Sequence, residues 1–84
     1  MYKVRVRKQF GGLLLETRIY STKTRAIKGA IQSVAFFHDG EARATYSPPP
    51  ISEQGSGYRG FVESADRTIY AHIWKLEDGD RIDL

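Results

Sequence analysis

The stretch YKVRVRKQFGGLLLETRIYS, residues 2–21, decides how the rest of the chain is read. Tyr2, Val4, Val6 and Phe10 fall on one side of it, and Lys3, Arg5, Arg7 and Gln9 on the other. Alternation with a period of two is the signature of a half-buried strand. Gly11-Gly12 tolerates positive φ at both positions, so it predicts a two-residue hairpin turn with residues 13–21 returning antiparallel. That turn pairs Val4 with Ile19, Val6 with Thr17 and Phe10 with Leu13. The other surface then pairs Arg7 with Glu16, Arg5 with Arg18 and Lys3 with Tyr20. Two arginines directly across from each other repel. Such a surface asks for an anion, an acidic neighbour or full solvation.

Downstream of the hairpin, Ser21-Thr22-Lys23-Thr24 offers N-cap residues for a helix over residues 22–37. Ala26, Ile27, Ala30, Ile31, Val34 and Phe37 form its apolar stripe at helical spacing. Gly29 within it should cost about 1 kcal/mol against alanine unless it lets helix and sheet approach closely. Gly40 is a candidate left-handed C-cap. Residues 41–46 read as a third strand, with Ala42, Ala44 and Tyr46 on one side. Residues 47–57 carry three prolines, three serines and two glycines, which predicts an exposed loop. Residues 58–64 and 68–77 predict a second hairpin around Ala65-Asp66-Arg67, and Asp78-Gly79 can turn the chain into a sixth short strand at 81–84. The expected fold is α+β: one domain over 1–84, element order ββαββ, with a single helix on one face of an antiparallel sheet.

Charge is distributed unevenly along this frame. Residues 1–30 hold eight Lys or Arg against Glu16 alone, a net of +7, while residues 31–84 hold five bases against nine acids, a net of −4. Asymmetry of this kind bears on partners rather than on fold. The expected partner-binding surface is the basic sheet face of Lys3, Arg5, Arg7 and Arg18 with Tyr20 beside it, adjoined by Lys23, Arg25 and Lys28 in the first helical turns. Cations at a helix N-terminus oppose its positive end, and an anion there would relieve them. The plain counter-reading of both groups is a set of solvated, salt-screened cations. Tyr70, His72 and Trp74 line one side of the last long strand and Ile69, Ala71 and Ile73 the other. The isoleucine side is the stronger claimant for the core, which would leave the aromatic side for contacts of the kind Tyr and Trp dominate.

Several classes of chemistry find no support in the residues. There is no cysteine, hence no disulfide and no thiolate ligand. His38 and His72 are the only histidines and have no ligand-spaced companions, so no metal and no cofactor is expected. Gly55-Ser56-Gly57-Tyr58-Arg59-Gly60 spells G-x-G-x-x-G, but a strand follows where a dinucleotide site needs a helix. Glu77-Asp78-Gly79-Asp80 lacks the twelve-residue calcium pattern. No serine stands beside a base, so no enzyme is expected. No apolar run approaches the roughly 20 residues that span a bilayer. The resulting expectation is a cytoplasmic protein with no membrane partner, a monomer or, through an exposed edge strand, a homodimer.

The hairpin followed by Thr22-Lys23-Thr24-Arg25-Ala26-Ile27-Lys28-Gly29-Ala30-Ile31 resembles, in the layout of residues 2–46, the small phage-encoded anti-CRISPR inhibitors of multi-subunit interference complexes. That resemblance implies a non-enzymatic protein that blocks a host nucleic-acid-targeting complex by binding an acidic surface of one of its subunits. The layout is also similar to the N-terminal arm-binding domain of phage-type integrases, although there three strands precede the helix and here two do. The alternative expectation is a small accessory protein that binds DNA or RNA directly with the same basic face.

Overall fold

The computed structural model describes residues 1–38, 44–50 and 57–76. It contains β1 (Tyr2–Lys8), β2 (Leu14–Tyr20), α1 (Lys23–Phe37), β3 (Ala44–Ser47), β4 (Tyr58–Ser64) and β5 (Ile69–Lys75). The order is therefore ββαβββ and not ββαββ: the expected order leaves out the strand expected over residues 41–46, which forms as β3. The expected sixth strand and the Gly40 cap lie outside the described residues.

The five strands make one antiparallel sheet in the order β2-β1-β5-β4-β3. Its two edges, β2 and β3, are the strands that flank the helix in sequence, so α1 carries the chain across one face of the sheet from edge to edge. The meander β3-β4-β5 then returns inward and β5 pairs with β1 along the whole of Tyr2–Lys8. At the β3 edge Pro48-Pro49-Pro50 follows directly, and proline cannot donate to a further ladder.

The helix begins where its cap predicts. Thr22 is extended (φ −133°, ψ 157°), and its side chain accepts a hydrogen bond from the Arg25 amide at 3.2 Å. A cap of this kind is worth about 1 kcal/mol. The helix buries Ala26, Gly29, Ala30 and Val34, all small enough to bring its axis close to the sheet. Opposite them lie Val4, Val6, Val62, Ile69, Ala71 and Ile73. Ile27, Ile31, Phe37, Ala44 and Tyr46 close the margins of this core. The isoleucine side of β5 is thus the buried side, as its composition predicts.

The first hairpin departs from expectation. Gly11 and Gly12 do adopt positive φ (80° and 64°), but Lys8 N–H donates to the Leu13 carbonyl at 3.0 Å, so the loop spans four residues instead of two. Between Val6 and Arg7 the ladder shifts: Arg7 faces Leu14 whereas Val6 faces Glu16, leaving Leu15 as an extra residue. The resulting pairs are Tyr2 with Tyr20, Lys3 with Ile19, Val4 with Arg18 and Arg5 with Thr17. Beyond the extra residue this is one residue away from the expected register, and with a side-chain period of two such a slip moves residues 16–20 to the opposite face. Arg5 and Arg18 do not meet. Contacts with the helix match the observed register: Ser33 Oγ donates to Glu16 Oε1 at 2.7 Å, and the Tyr20 ring occupies the space where a side chain at Gly29 would stand.

The second hairpin is organised by Asp66. Its Oδ1 accepts from Ser64 Oγ at 2.8 Å, Thr68 N at 3.1 Å and Thr68 Oγ1 at 2.7 Å. Arg67 sits in the left-handed region at φ 63°. Ser64 is a buried polar residue whose hydroxyl also accepts from the Ile69 amide at 3.2 Å, so the turn and the core edge share one network. Asp66 Oδ2 meets His38 Nε2 at 2.7 Å, fastening the C-terminal end of α1 to this turn.

Candidate functional site

With the helix on one side, the other side of the sheet is covered by no element among the described residues, and the residues of this open face follow from the register. Lys3, Arg5 and Arg7 of β1 stand on that face, across from Trp74, His72 and Tyr70 of β5 respectively. Three cations on one strand thus face three rings on the next, one pair per two-residue repeat.

Strand β4 extends the aromatic side. Strict alternation would send Tyr58 and Phe61 to opposite faces. Here Tyr58 pairs with Trp74 and Phe61 with His72, so one extra residue bulges out between them and both rings reach the open face. Gly60 lies in that bulge at φ 105°, and a Cβ there would drive into the Ser47 carbonyl. No other residue suits the position.

The rings pack on one another. Tyr58 lies 5.0 Å from Trp74 and 5.7 Å from His72, and His72 lies 4.9 Å from Tyr70 and 6.3 Å from Phe61, between centroids. Three of these four contacts are edge-on, the arrangement that aromatic quadrupoles favour. Tyr58 is 8% exposed and acts as the floor, while Trp74 is 37% exposed and stands at the surface. Phe61, Tyr70 and His72 are half-buried, and with Gln9, Tyr58 and Glu63 they bound a shallow cavity of about 310 Å³.

Among the described residues no acid pairs with the cations of this face. Among the described residues the ion pairs are Arg18 with Glu16 at 2.9 Å, His38 with Asp66 at 2.7 Å and Arg67 with Glu63 at 3.8 Å, and none involves Lys3, Arg5 or Arg7. Arg7 donates to the Gly12 carbonyl at 3.1 Å. Arg5 Nε and Thr17 Oγ1, on residues paired across β1 and β2, are both shielded from solvent and meet no hydrogen-bond partner.

The eight residues singled out from the sequence therefore separate. Lys3, Arg5 and Arg7 share the open face. Arg18 and Tyr20 lie on the helix side, where with Glu16, Gln32, Ser33 and Phe36 they line a groove of about 260 Å³. Its carboxylate is already engaged by Arg18 and Ser33. Lys23, Arg25 and Lys28 are exposed on the first turns of α1, which carry no acid. Sequence reading missed Tyr58 and Phe61, whose placement depends on the bulge. Tyr70, His72 and Trp74 were visible as an alternating set.

The described residues hold no group of three or more His, Cys, Asp or Glu side chains able to bind a metal ion. Among the described residues no helix is long and apolar enough to cross a membrane. No protein-family model, curated protein or solved structure matches this chain.

Proposed function

We propose that this chain is a non-enzymatic binding protein that acts by stoichiometric capture of an anionic macromolecule on the open face of its sheet. The observation that carries the reading is the ladder of Lys3–Trp74, Arg5–His72 and Arg7–Tyr70 pairs, cations that pair with no acid among the described residues, beside a preassembled aromatic cluster. The cations steer an acidic partner toward the face, and the rings supply the apolar contact area that holds it. Inhibition of a host nucleic-acid-targeting complex by a mobile-element protein, the role implied by the layout of residues 2–46, is one use of such a face.

The faces are tested separately by charge reversal. Amide cross-peaks of a labelled protein are followed during titration with a 9-mer oligo(dT), a duplex of the same length and poly-L-glutamate, each at 50 mM salt. Perturbations concentrated on β1 and β5 are expected, and Arg5→Glu should abolish them. Arg18→Glu, on the opposite face, should leave them intact. If every probe instead shifts the amides around Lys23, Arg25 and Lys28, or if Arg18→Glu matters as much as Arg5→Glu, the open-face assignment is wrong.

A further inference from the structure

We infer that the occupant of the open face is a single strand of nucleic acid, its phosphates along β1 and its bases over β5 and β4; this rests on the open-face reading above. An acidic protein surface would satisfy Lys3, Arg5 and Arg7 by charge alone. It has no reason to match a second row of rings in step with them. A nucleotide chain does, because every repeat carries one phosphate and one flat base.

The spacing follows from strand geometry. Alternate residues on β1 are about 6.8 Å apart, and the neighbouring strand lies about 4.8 Å away. Lys3, Arg5 and Arg7 thus form a straight rail of three charges, with Trp74, His72 and Tyr70 forming a parallel rail beside it at the same repeat. Phosphate oxygens need donors more than bare charge, and arginine supplies them in a planar fork. Arg5 stands at the centre of the rail.

On the aromatic side, single strands are held by stacking on exposed rings, which tolerates any base. Trp74 is the exposed member of the cluster, backed by buried Tyr58. A duplex keeps its bases inside the stack, so it could use the cation rail and not the rings. The face therefore predicts preference for single strands over duplex, little dependence on base identity, and a core site of about three nucleotides.

Trp74 is the only tryptophan in the chain, so its emission reports directly on the ring rail. Fluorescein-labelled 9-mers of oligo(dT) and oligo(rU) are titrated with the protein at 50 and 200 mM salt, with anisotropy and Trp74 emission read together. Unlabelled duplex and poly-L-glutamate serve as competitors. Three neutralised phosphates on a single strand give a salt slope near −2.1, an affinity loss of about 20-fold between the two salts. Lys3→Ala should flatten that slope by about 0.7. Trp74→Leu keeps apolar bulk but removes the flat ring, and should weaken strand binding about 5- to 160-fold, the range for one lost stacking contact. Circular dichroism checks that each variant is folded. The dT and rU arms distinguish DNA from RNA as the source of the strand.

Failure to bind either strand at 50 mM salt overturns the inference. So does unchanged strand affinity in folded Trp74→Leu, or equal competition by duplex or poly-L-glutamate. If poly-L-glutamate alone shifts β1 and β5 amides, the single strand is excluded while the open-face reading stands and the partner is an acidic protein. If no probe shifts those strands, both fall.

Discussion

Replacing Gly29 with alanine should destabilise the domain, although alanine is the better helix former. Gly29 lies in the interior of α1 with ordinary helical φ, so backbone strain is no obstacle. On helix propensity alone the substitution gains about 0.8–1.0 kcal/mol. Against this, a Cβ at position 29 would fall within the hydroxyl end of the Tyr20 ring, which lies across the helix at this point. Either the ring swings out and surrenders its packing against the core, or the helix lifts. Overpacking of this kind costs about 1–3 kcal/mol. The difference is a net loss of up to about 2 kcal/mol, centred near 1, or roughly 4–8 °C in Tm for a domain of this size.

Removing the ring should invert the sign. In a Tyr20→Ala background nothing occupies the space, and Gly29→Ala should then stabilise by nearly its full propensity gain. The coupling in this double-mutant cycle is about 1–3 kcal/mol. Urea unfolding of the four proteins, followed by circular dichroism, measures it. If Gly29→Ala raises stability equally in both backgrounds, Tyr20 does not lie over Gly29 and the observed register of β2 is wrong.

Three further expectations are equally direct. The chain lacks cysteine, so Lys3→Cys/Ile19→Cys should oxidise to an intramolecular disulfide, because facing residues on antiparallel strands have Cα atoms about 4.5–5.5 Å apart. Val4→Cys/Ile19→Cys should not; non-reducing electrophoresis of the two double mutants tells the registers apart, and the opposite result would restore the two-residue turn. Hydrogen bonds from His38, Thr68 and Ser64 hold the Asp66 carboxyl well below its ordinary 3.8. A carboxyl lowered in the folded state contributes stability that is complete above its unfolded value and is lost as pH falls below about 4. The urea midpoint should therefore decline below pH 4. Asp66→Asn should lower it at neutral pH and flatten the acid decline, and an unaltered acid profile would remove Asp66 from its role in the turn. Arg5→Glu and Arg18→Glu should separate in any binding assay, only the first abolishing capture on the open face.

The parts of this fold legible from residues are those governed by local periodicity and chemistry. The alternation of Tyr2, Val4 and Val6 marks β1, Thr22 marks the start of α1, and the split between Ile69-Ala71-Ile73 and Tyr70-His72-Trp74 marks the two faces of β5. Each signal lies within a few residues of the feature it specifies. The Lys3-Arg5-Arg7 part of the candidate site was legible for the same reason. Strand β2 carries no such signal: Leu14, Leu15, Ile19 and Tyr20 put apolar groups on both faces, so either register satisfies its composition. Adding Arg18 and Tyr20 to the site depended on an unbroken ladder along β2, and the extra residue beside Val6 breaks it.

By itself the sequence determined that a cationic hairpin, a capped helix and a closing hairpin would build an α+β domain around small aliphatic residues. Only the tertiary structure decided which residues share the open face. Two single-residue insertions in the ladders do this, one beside Val6 and one between Tyr58 and Phe61. The first sends Arg18 and Tyr20 to the helix side, and the second brings Tyr58 and Phe61 to the rings of β5. A bulge changes local energy little but inverts every side chain beyond it. Its position is therefore set by distant contacts, Tyr20 on Gly29, Glu16 with Ser33 and Gly60 against Ser47, which no window of sequence contains.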